Sequence, residues 1–306
     1  MSVSKLSSVN TAGTTGKKLN RSLNKKTVPY FFVLPAMVIL IGFKLFPILV
    51  SMYGSLFKTG AKNITYFVLF ENYINLFKDS IFYISLKNTF VFNLVTTPVQ
   101  ILLAFLLALV FNQKLFGIKV YRTIFYMPVC TSLVMATIVW GLMMNPYNSL
   151  MNSFLGYFGI GNQGFLTDPK QALWCIMLIA TWKGTPYWMM FILAGLQGIP
   201  DTIFEAALID GANSFRRTVN ITIPLLKNTF GFVLISNTIA NMLLFVPMYV
   251  QTKGGPMNST NVLMYEAYKS AYSYNNMGRS YAIVVMLLLL SMLFVAIQNK
   301  FFKITD

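Results

Sequence analysis

The side chains able to carry acid–base, covalent or metal chemistry are sparse in this sequence. Among 306 residues there are no histidines, two cysteines and eight carboxylates. Histidine-based catalysis and most zinc sites are thereby excluded. Cys130 and Cys175 each lie in an apolar run, which argues against a disulfide or a metal pair. A phosphate-cradling loop of the form G-x-x-x-x-G-K-[ST] is absent. "AGTTGKK" (12–18) comes nearest, but Gly13 and Gly16 stand three apart and no strand pattern precedes them. The chain is expected to be no catalyst and to hold no cofactor of its own.

The polar spacing that does stand out is "EAALIDGANSFRRTVNITIPLL" (205–226). Pro200 ends the preceding run, and Thr202 three residues before Glu205 forms a capping-box pattern that predicts a new helix. Asp210-Gly211 breaks that helix, glycine tolerating the left-handed end. A second helix is expected from Asn213 or Ser214, with Phe215, Val219 and Ile223 on one face and Pro224 closing it. Two short helices with a sharp bend would result. Ala206, Ala207, Gly211 and Ala212 would offer a small-residue surface for close approach. Periodicity alone leaves two readings open, an interfacial connector without a partner or a docking element.

Hydrogen-bonding residues within apolar runs are costly and invite a functional reading. Asn237 and Asn241, four apart, share a helix face. They would point into a polar path, or they would bond neighbouring helices. "TWKGTPYWMM" groups Trp182, Tyr187 and Trp188 around Gly184 and Pro186, which are expected to break a helix. These aromatic faces suit sugar rings, yet such residues also gather at membrane interfaces. Lys183 would snorkel or meet an anionic substrate, and Lys44 is expected to snorkel.

The elements that must position these residues follow from composition. Hydrophobic residues make up 56% and charged residues 10%, with a mean hydropathy of +0.62; soluble domains carry roughly 25% charged residues. The chain is therefore an integral membrane protein. Its net charge of +16 is scattered between apolar runs, as flanks of membrane spans require, and does not indicate nucleic acid. Six runs, near 30–52, 88–111, 122–144, 171–193, 228–250 and 281–299, are long enough for a hydrocarbon core that takes about 20 helical residues to cross. Each is expected to be helical. Residues 1–29 read as a disordered basic tail without a signal-peptide core, leaving 30–306 as the transmembrane domain. Lysine and arginine are denser in the tail, at Lys114, Lys119 and Arg122, at Arg216, Arg217 and Lys227, and at Lys300 and Lys303 than in the alternate segments. Both termini are accordingly expected in the cytoplasm, and so is the loop 194–227. The loops of 53–87 and "KGGPMNST" (253–260) would be external, the first as an interfacial helix and the second as a turn.

The spacing of the 205–226 stretch carries a resemblance. Glu205-Ala206-Ala207, Gly211 after three residues, Ile221 after nine, and Ile223-Pro224 resemble the signature loop of binding-protein-dependent ABC importer permeases. Ile223 departs from the leucine usual there. "AGLQGIPDTIFEAALIDGA", "NYINLF" with Asn88-Thr89, and "GGPMNST" are similar to the carbohydrate-uptake branch. The likeness runs from about residue 30 to the C-terminus.

The resemblance implies an all-α type I permease fold with six transmembrane helices and a cytoplasmic coupling helix formed by Glu205, Ala206, Ala207, Asp210, Gly211, Ala212 and Pro224. It implies partners as well: two separate ATPase subunits binding ATP and Mg, a second and different permease chain, an extracytoplasmic binding protein and a sugar or polyol substrate, all at a bacterial cell membrane. A secondary transporter is a rival reading, but all eight carboxylates fall outside the six spans. A non-transporting assembly protein would have no reason to carry the spaced loop.

Overall fold

The structure, a computed structural model, describes residues 28–59, 65–113, 116–147 and 149–302. The expected basic tail lies outside the described residues except for Val28 and Pro29, which already begin the first helix. The chain divides into two compact units, residues 1–49 and 50–306.

The first described segment is helical throughout. It runs as α1 (Val28–Leu40), a π-helical turn at Ile41–Leu45 that includes Lys44, and α2 (Phe46–Gly54). Its apolar side chains, from Tyr30 to Val50, are exposed, as suits a segment whose solvent is hydrocarbon.

In the second unit an unexpected hairpin follows, β1 (Phe57–Thr59) and β2 (Thr65–Phe67), antiparallel with Phe57 opposite Phe67. Within 53–87 the expected interfacial helix is short, confined to α3 (Glu71–Phe77). Three consecutive extended residues and ring contact between Phe57 and Phe67, centroids 5.2 Å apart, favour the paired strands here.

Of the apolar runs, three fold as unbroken helices long enough to cross a membrane: Tyr30–Gly54, α4 (Ser80–Phe111) and the last helix α14 (Met277–Phe302). Three further pairs would bring the total to six if each bent pair counts as one span. These are α5 (Ile118–Cys130) with α6 (Leu133–Met143), bent by 95°; α8 (Ala172–Gln197) with α9 (Asp201–Ile209), bent by 70°; and Ser214–Leu225 with α12 (Lys227–Met242), bent by 69°. In that last pair, α10 (Ser214–Arg217), a π-turn at Thr218–Thr222 and α11 (Ile223–Leu225) follow one another.

Three expectations need correction. The run 122–144 is not one helix: Thr131 and Ser132 are extended and split it. Nor is the run 228–250, because α12 ends at Met242. Conversely, Gly184 and Pro186 do not break α8, which passes through both. Gly184 instead lets α4 close in, since a Cβ there would sit 2.5 Å from Gln100 Nε2. That amide donates to the Ala180 carbonyl of α8 at 2.8 Å.

α4 packs along α8, and α12 packs against α4, α8 and α14. Buried apolar residues gather where these helices meet, one group around Phe105, Trp188, Ile192 and Val233 and another around Phe92, Ile176 and Met248. A third group, including Leu76, Leu263 and Ile283, binds α3, α13 (Leu263–Tyr272) and α14. Short α7 (Leu150–Gly156) lies between α6 and α8 in the chain.

Candidate functional site

The helical hairpin around Gly211 has a specific cap. Gly211 adopts φ +75°. Its N–H donates to the Leu208 carbonyl at 3.0 Å, and the Ala212 N–H reaches the Ala207 carbonyl at 2.9 Å. This is the Schellman pairing of a helix C-terminus, with glycine at the left-handed position. The next helix is capped by Asn213, whose side-chain oxygen accepts from the Arg216 N–H at 2.8 Å. The bend is therefore fixed on both sides by hydrogen bonds that its own sequence supplies. At its other end α9 departs from expectation: it begins at Asp201 after Pro200, so Thr202 lies inside the helix and is no N-cap. Proline at the N-cap fixes its own φ at about −65°, and its side chain offers no cap acceptor.

Around this bend Glu205, Ala206, Asp210, Gly211 and Pro224 are exposed, Ala212 is half-buried and Ala207 is buried. Ala207 is thus the residue that seats α9, while Glu205 and Asp210 present carboxylates outward. Phe215 and Val219 are exposed too, leaving an apolar strip beside those charges.

Asn237 and Asn241 sit elsewhere, in a polar seam between α12 and α4. Both are buried, Asn237 completely. Asn241 Nδ2 is 3.0 Å from each of Thr97 Oγ1, Gln100 Oε1 and Asn237 Oδ1. Asn93 Nδ2 donates to the Thr238 carbonyl at 2.8 Å, and Gln298 Nε2 of α14 reaches Thr238 Oγ1 at 2.7 Å. In hydrocarbon such amides must find protein partners, and here they join three helices. Asn237 Nδ2 and Thr96 Oγ1 are buried without a hydrogen bond among the described residues. The α4 half of the seam was missed from sequence, although Asn93, Thr97 and Gln100 recur at helical spacing in an apolar run.

The three aromatic candidates of α8 do not form one surface. Trp182 packs edge-on against Trp140, centroids 5.7 Å apart, and lines an apolar cavity of about 390 Å³ with Phe125, Pro128 and Thr185. Tyr187 contacts Phe191 and Trp188, and Trp188 is buried in the core. Lys183 donates to the carbonyls of Pro128, Val129 and Thr131.

A second polar cluster, unforeseen in the sequence, joins α13 and α14 to the start of α4. Glu266 is wholly buried, with Arg279 Nη1 at 2.9 Å, Lys269 Nζ at 3.2 Å and Asn261 Nδ2 at 2.7 Å. Arg279 also pairs with Asp79, the residue whose side chain caps α4. Burial would lower the Lys269 ammonium, but Glu266 and Tyr274 hold it above the ordinary lysine value. The only sequence signal was the three-residue spacing of Glu266 and Lys269. Nearby, Asn88 Nδ2 donates to the carbonyls of Asn258 and Asn261 at 2.9 and 3.0 Å, and Thr89 Oγ1 accepts from the Leu263 N–H at 2.8 Å. The Asn88-Thr89 pair thus pins the 253–260 turn to α4. Among the described residues no group of three or more His, Cys, Asp or Glu is placed to hold a metal ion.

Known proteins are similar to this chain in sequence and in fold. The lactose transport system permease protein LacF of Rhizobium radiobacter is 37% identical over 279 residues, covering 86% of this chain and 91% of its own length. The sn-glycerol-3-phosphate transport system permease protein UgpA of Agrobacterium fabrum is 33% identical over 278 residues, covering 90% and 94%. A chain from the crystal structure of a bacterial ABC transporter involved in the import of the acidic polysaccharide alginate superposes with a TM-score of 0.79 at 19% identity, covering 93% of this chain and 98% of that one; at that identity the likeness speaks to the fold. Residues 80–303 match the family model of the binding-protein-dependent transport system inner membrane component. With that match spanning α4 to α14, and relatives above 30% identity along most of their length, the chain belongs to this family of transport-system membrane components.

Proposed function

We propose that the chain is one permease subunit of an ATP-driven importer for a carbohydrate, whether a mono-, di- or oligosaccharide or a polyol compound. An extracytoplasmic binding protein would deliver the substrate. A second, different permease would complete the pore, and two ATPase subunits would hold ATP and Mg. The relatives' lactose and glycerol-phosphate systems support the substrate class. The density of basic residues in alternate segments supports a bacterial cell membrane topology with both termini and the 205–226 bend in the cytoplasm.

The observation that carries the reading is the bend itself. A helix locked by a Schellman cap, with Glu205 and Asp210 turned outward and Ala207 turned in, is a rigid piece presented to another protein. Rigid elements at interfaces transmit motion because their packings are discrete. ATP binding would open the path outward, and hydrolysis would reset it. Trp182, Tyr187, Trp188, Asn237 and Asn241 are proposed as residues along the substrate path. Of these, Trp182 already faces a cavity.

Reconstitution with the partner subunits in vesicles tests the reading. Sugar uptake should require ATP, and Glu205→Lys should insert normally yet lose uptake. ATP-independent uptake, or normal uptake by Glu205→Lys, would overturn it.

A further inference from the structure

Beside the start of α9 lies a cavity of about 330 Å³ that the transport reading does not use. Its polar lining is Asn112 and Gln113 after α4, Lys119 and Arg122 on α5, Gln197 at the end of α8, and Asp201 at the start of α9. Lys119 and Arg122 are three apart on one helix, so both cations reach the same space. Lys119 is exposed. Arg122 spends its Nε and Nη2 on the Phe111 carbonyl, which anchors the guanidinium and leaves the rest of its fork available. Three amide side chains add hydrogen-bond donors. Asp201, at the start of α9, is the one carboxylate among the described lining residues.

The surroundings of this cavity are apolar. Ile118, Leu196, Ile199 and Phe204 complete its wall, and Phe116, Val120 and Tyr121 stand exposed next to the two cations. A polar, cationic recess beside exposed hydrocarbon-compatible side chains matches a molecule with a phosphate at one end and an apolar body at the other. We propose that this recess binds a phosphate-bearing headgroup, that of an anionic membrane lipid, at the base of the coupling helix. The proposal rests on the reading of this end of the molecule as cytoplasmic, where basic pockets between spans attract anionic lipid. Because α9 supplies Asp201 and Phe204 to the wall, an occupied recess would brace the start of the element proposed to meet the ATPase.

The test uses the full-length chain purified together with its partner subunits and stripped of loosely held lipid. Phosphatidylglycerol, phosphatidylcholine or inorganic phosphate is added, and retained adducts are counted by native mass spectrometry. Lys119→Gln should retain phosphatidylglycerol about fivefold less tightly than the unmodified chain, the effect of one basic residue near an anionic lipid. Lys78→Gln, an exposed lysine before α4, should leave retention unchanged. Phosphatidylcholine should be held weakly by all three. If inorganic phosphate alone is retained in a Lys119-dependent way, the same recess binds free phosphate and the lipid assignment falls. Equal phosphatidylglycerol retention by the unmodified chain and Lys119→Gln overturns the site altogether. So does a Lys119→Gln chain that releases the ATPase while keeping its lipid, which would make the recess a subunit contact. No uptake measurement enters these outcomes, so a failure of the importer reading would show separately as uptake without ATP.

Discussion

The ammonium nitrogen of Lys183 lies 3.1 Å from the Val129 carbonyl oxygen and donates also to the carbonyls of Pro128 and Thr131. A cation from α8 thus fills the carbonyls freed where α5 stops and the chain turns by 95° into α6. A helix that ends leaves carbonyls without intrahelical partners, and a positive charge is the natural complement to that end. In this structure the Lys183 ammonium is engaged by those three carbonyls.

Lys183→Met should leave those carbonyls unsatisfied and cost about 1–3 kcal/mol for the most buried of them. Thermal unfolding in detergent should register the loss. Cys130, exposed at the same break, should react faster with a membrane-permeant maleimide, while buried Cys175 stays protected. Lys183→Arg, which keeps a cationic donor, should recover most of the difference. Unchanged unfolding and labelling in the methionine variant would mean the break holds without the tie.

Gly211 gives a graded prediction. No atom lies within 4 Å of a Cβ built there, so any cost comes from its φ of +75° and not from collision. Left-handed backbone costs an L-residue roughly 1–2 kcal/mol, least for asparagine and most for a β-branched side chain. Gly211→Asn should retain most ATP-dependent uptake, Gly211→Ala less and Gly211→Val least, at equal membrane abundance. A flat series would remove the bend from the coupling role.

The parts of this molecule legible in the sequence are those decided locally. The Asp210-Gly211 bend and the Asn213 cap depend on residues within a few positions, and the structure places both as spacing required. Apolar length likewise placed three of the runs on unbroken helices, Tyr30–Gly54, α4 and α14, because hydrocarbon thickness sets it. What escaped depends on partners far away in the chain. Nothing local to Glu266 announces Arg279, and nothing local to Thr131 announces Lys183. Gly184 and Pro186 look like a break until Gln100 of α4 is seen to fit against the glycine and donate to the same turn. The hairpin at Phe57 was hidden for a similar reason, since its pairing lies across the turn and not along a helix face.

Asn241 sits at the centre of the seam, and its two proposed roles separate by experiment. Asn241→Leu removes the donor shared by Thr97, Gln100 and Asn237. Interhelical hydrogen bonds in membranes average about 0.6 kcal/mol, so a loss of about 1–2 kcal/mol in detergent unfolding is expected. A double-mutant cycle with Gln100→Leu should return a coupling of similar size to one such bond. If the seam is only structural, uptake should follow the amount of folded protein. A role on the substrate path would instead appear as a raised KM for sugar at unchanged abundance.

The buried Glu266 cluster makes the strongest stability prediction, together with a defined pH window. Arg279 bridges Glu266 and Asp79, so Arg279→Leu would strand a fully buried carboxylate with one cation fewer. Breaking a buried pair from one side costs about 3–5 kcal/mol, and the lower unfolding temperature should be accompanied by faster proteolysis near α13. Lys269 fixes the pH dependence. Its folded value is raised: burial pulls it down, and Glu266 and Tyr274 together outweigh that pull. Its contribution is therefore complete below the unfolded lysine value and is lost as pH rises through the higher folded value. Stability should then show no step from this group through neutral pH and should fall above the ordinary value of 10.5. Lys269→Met should start lower and lack that alkaline step. An identical alkaline fall in Lys269→Met would assign it to other groups, and a fall near neutral pH in the unmodified chain would contradict the raised value.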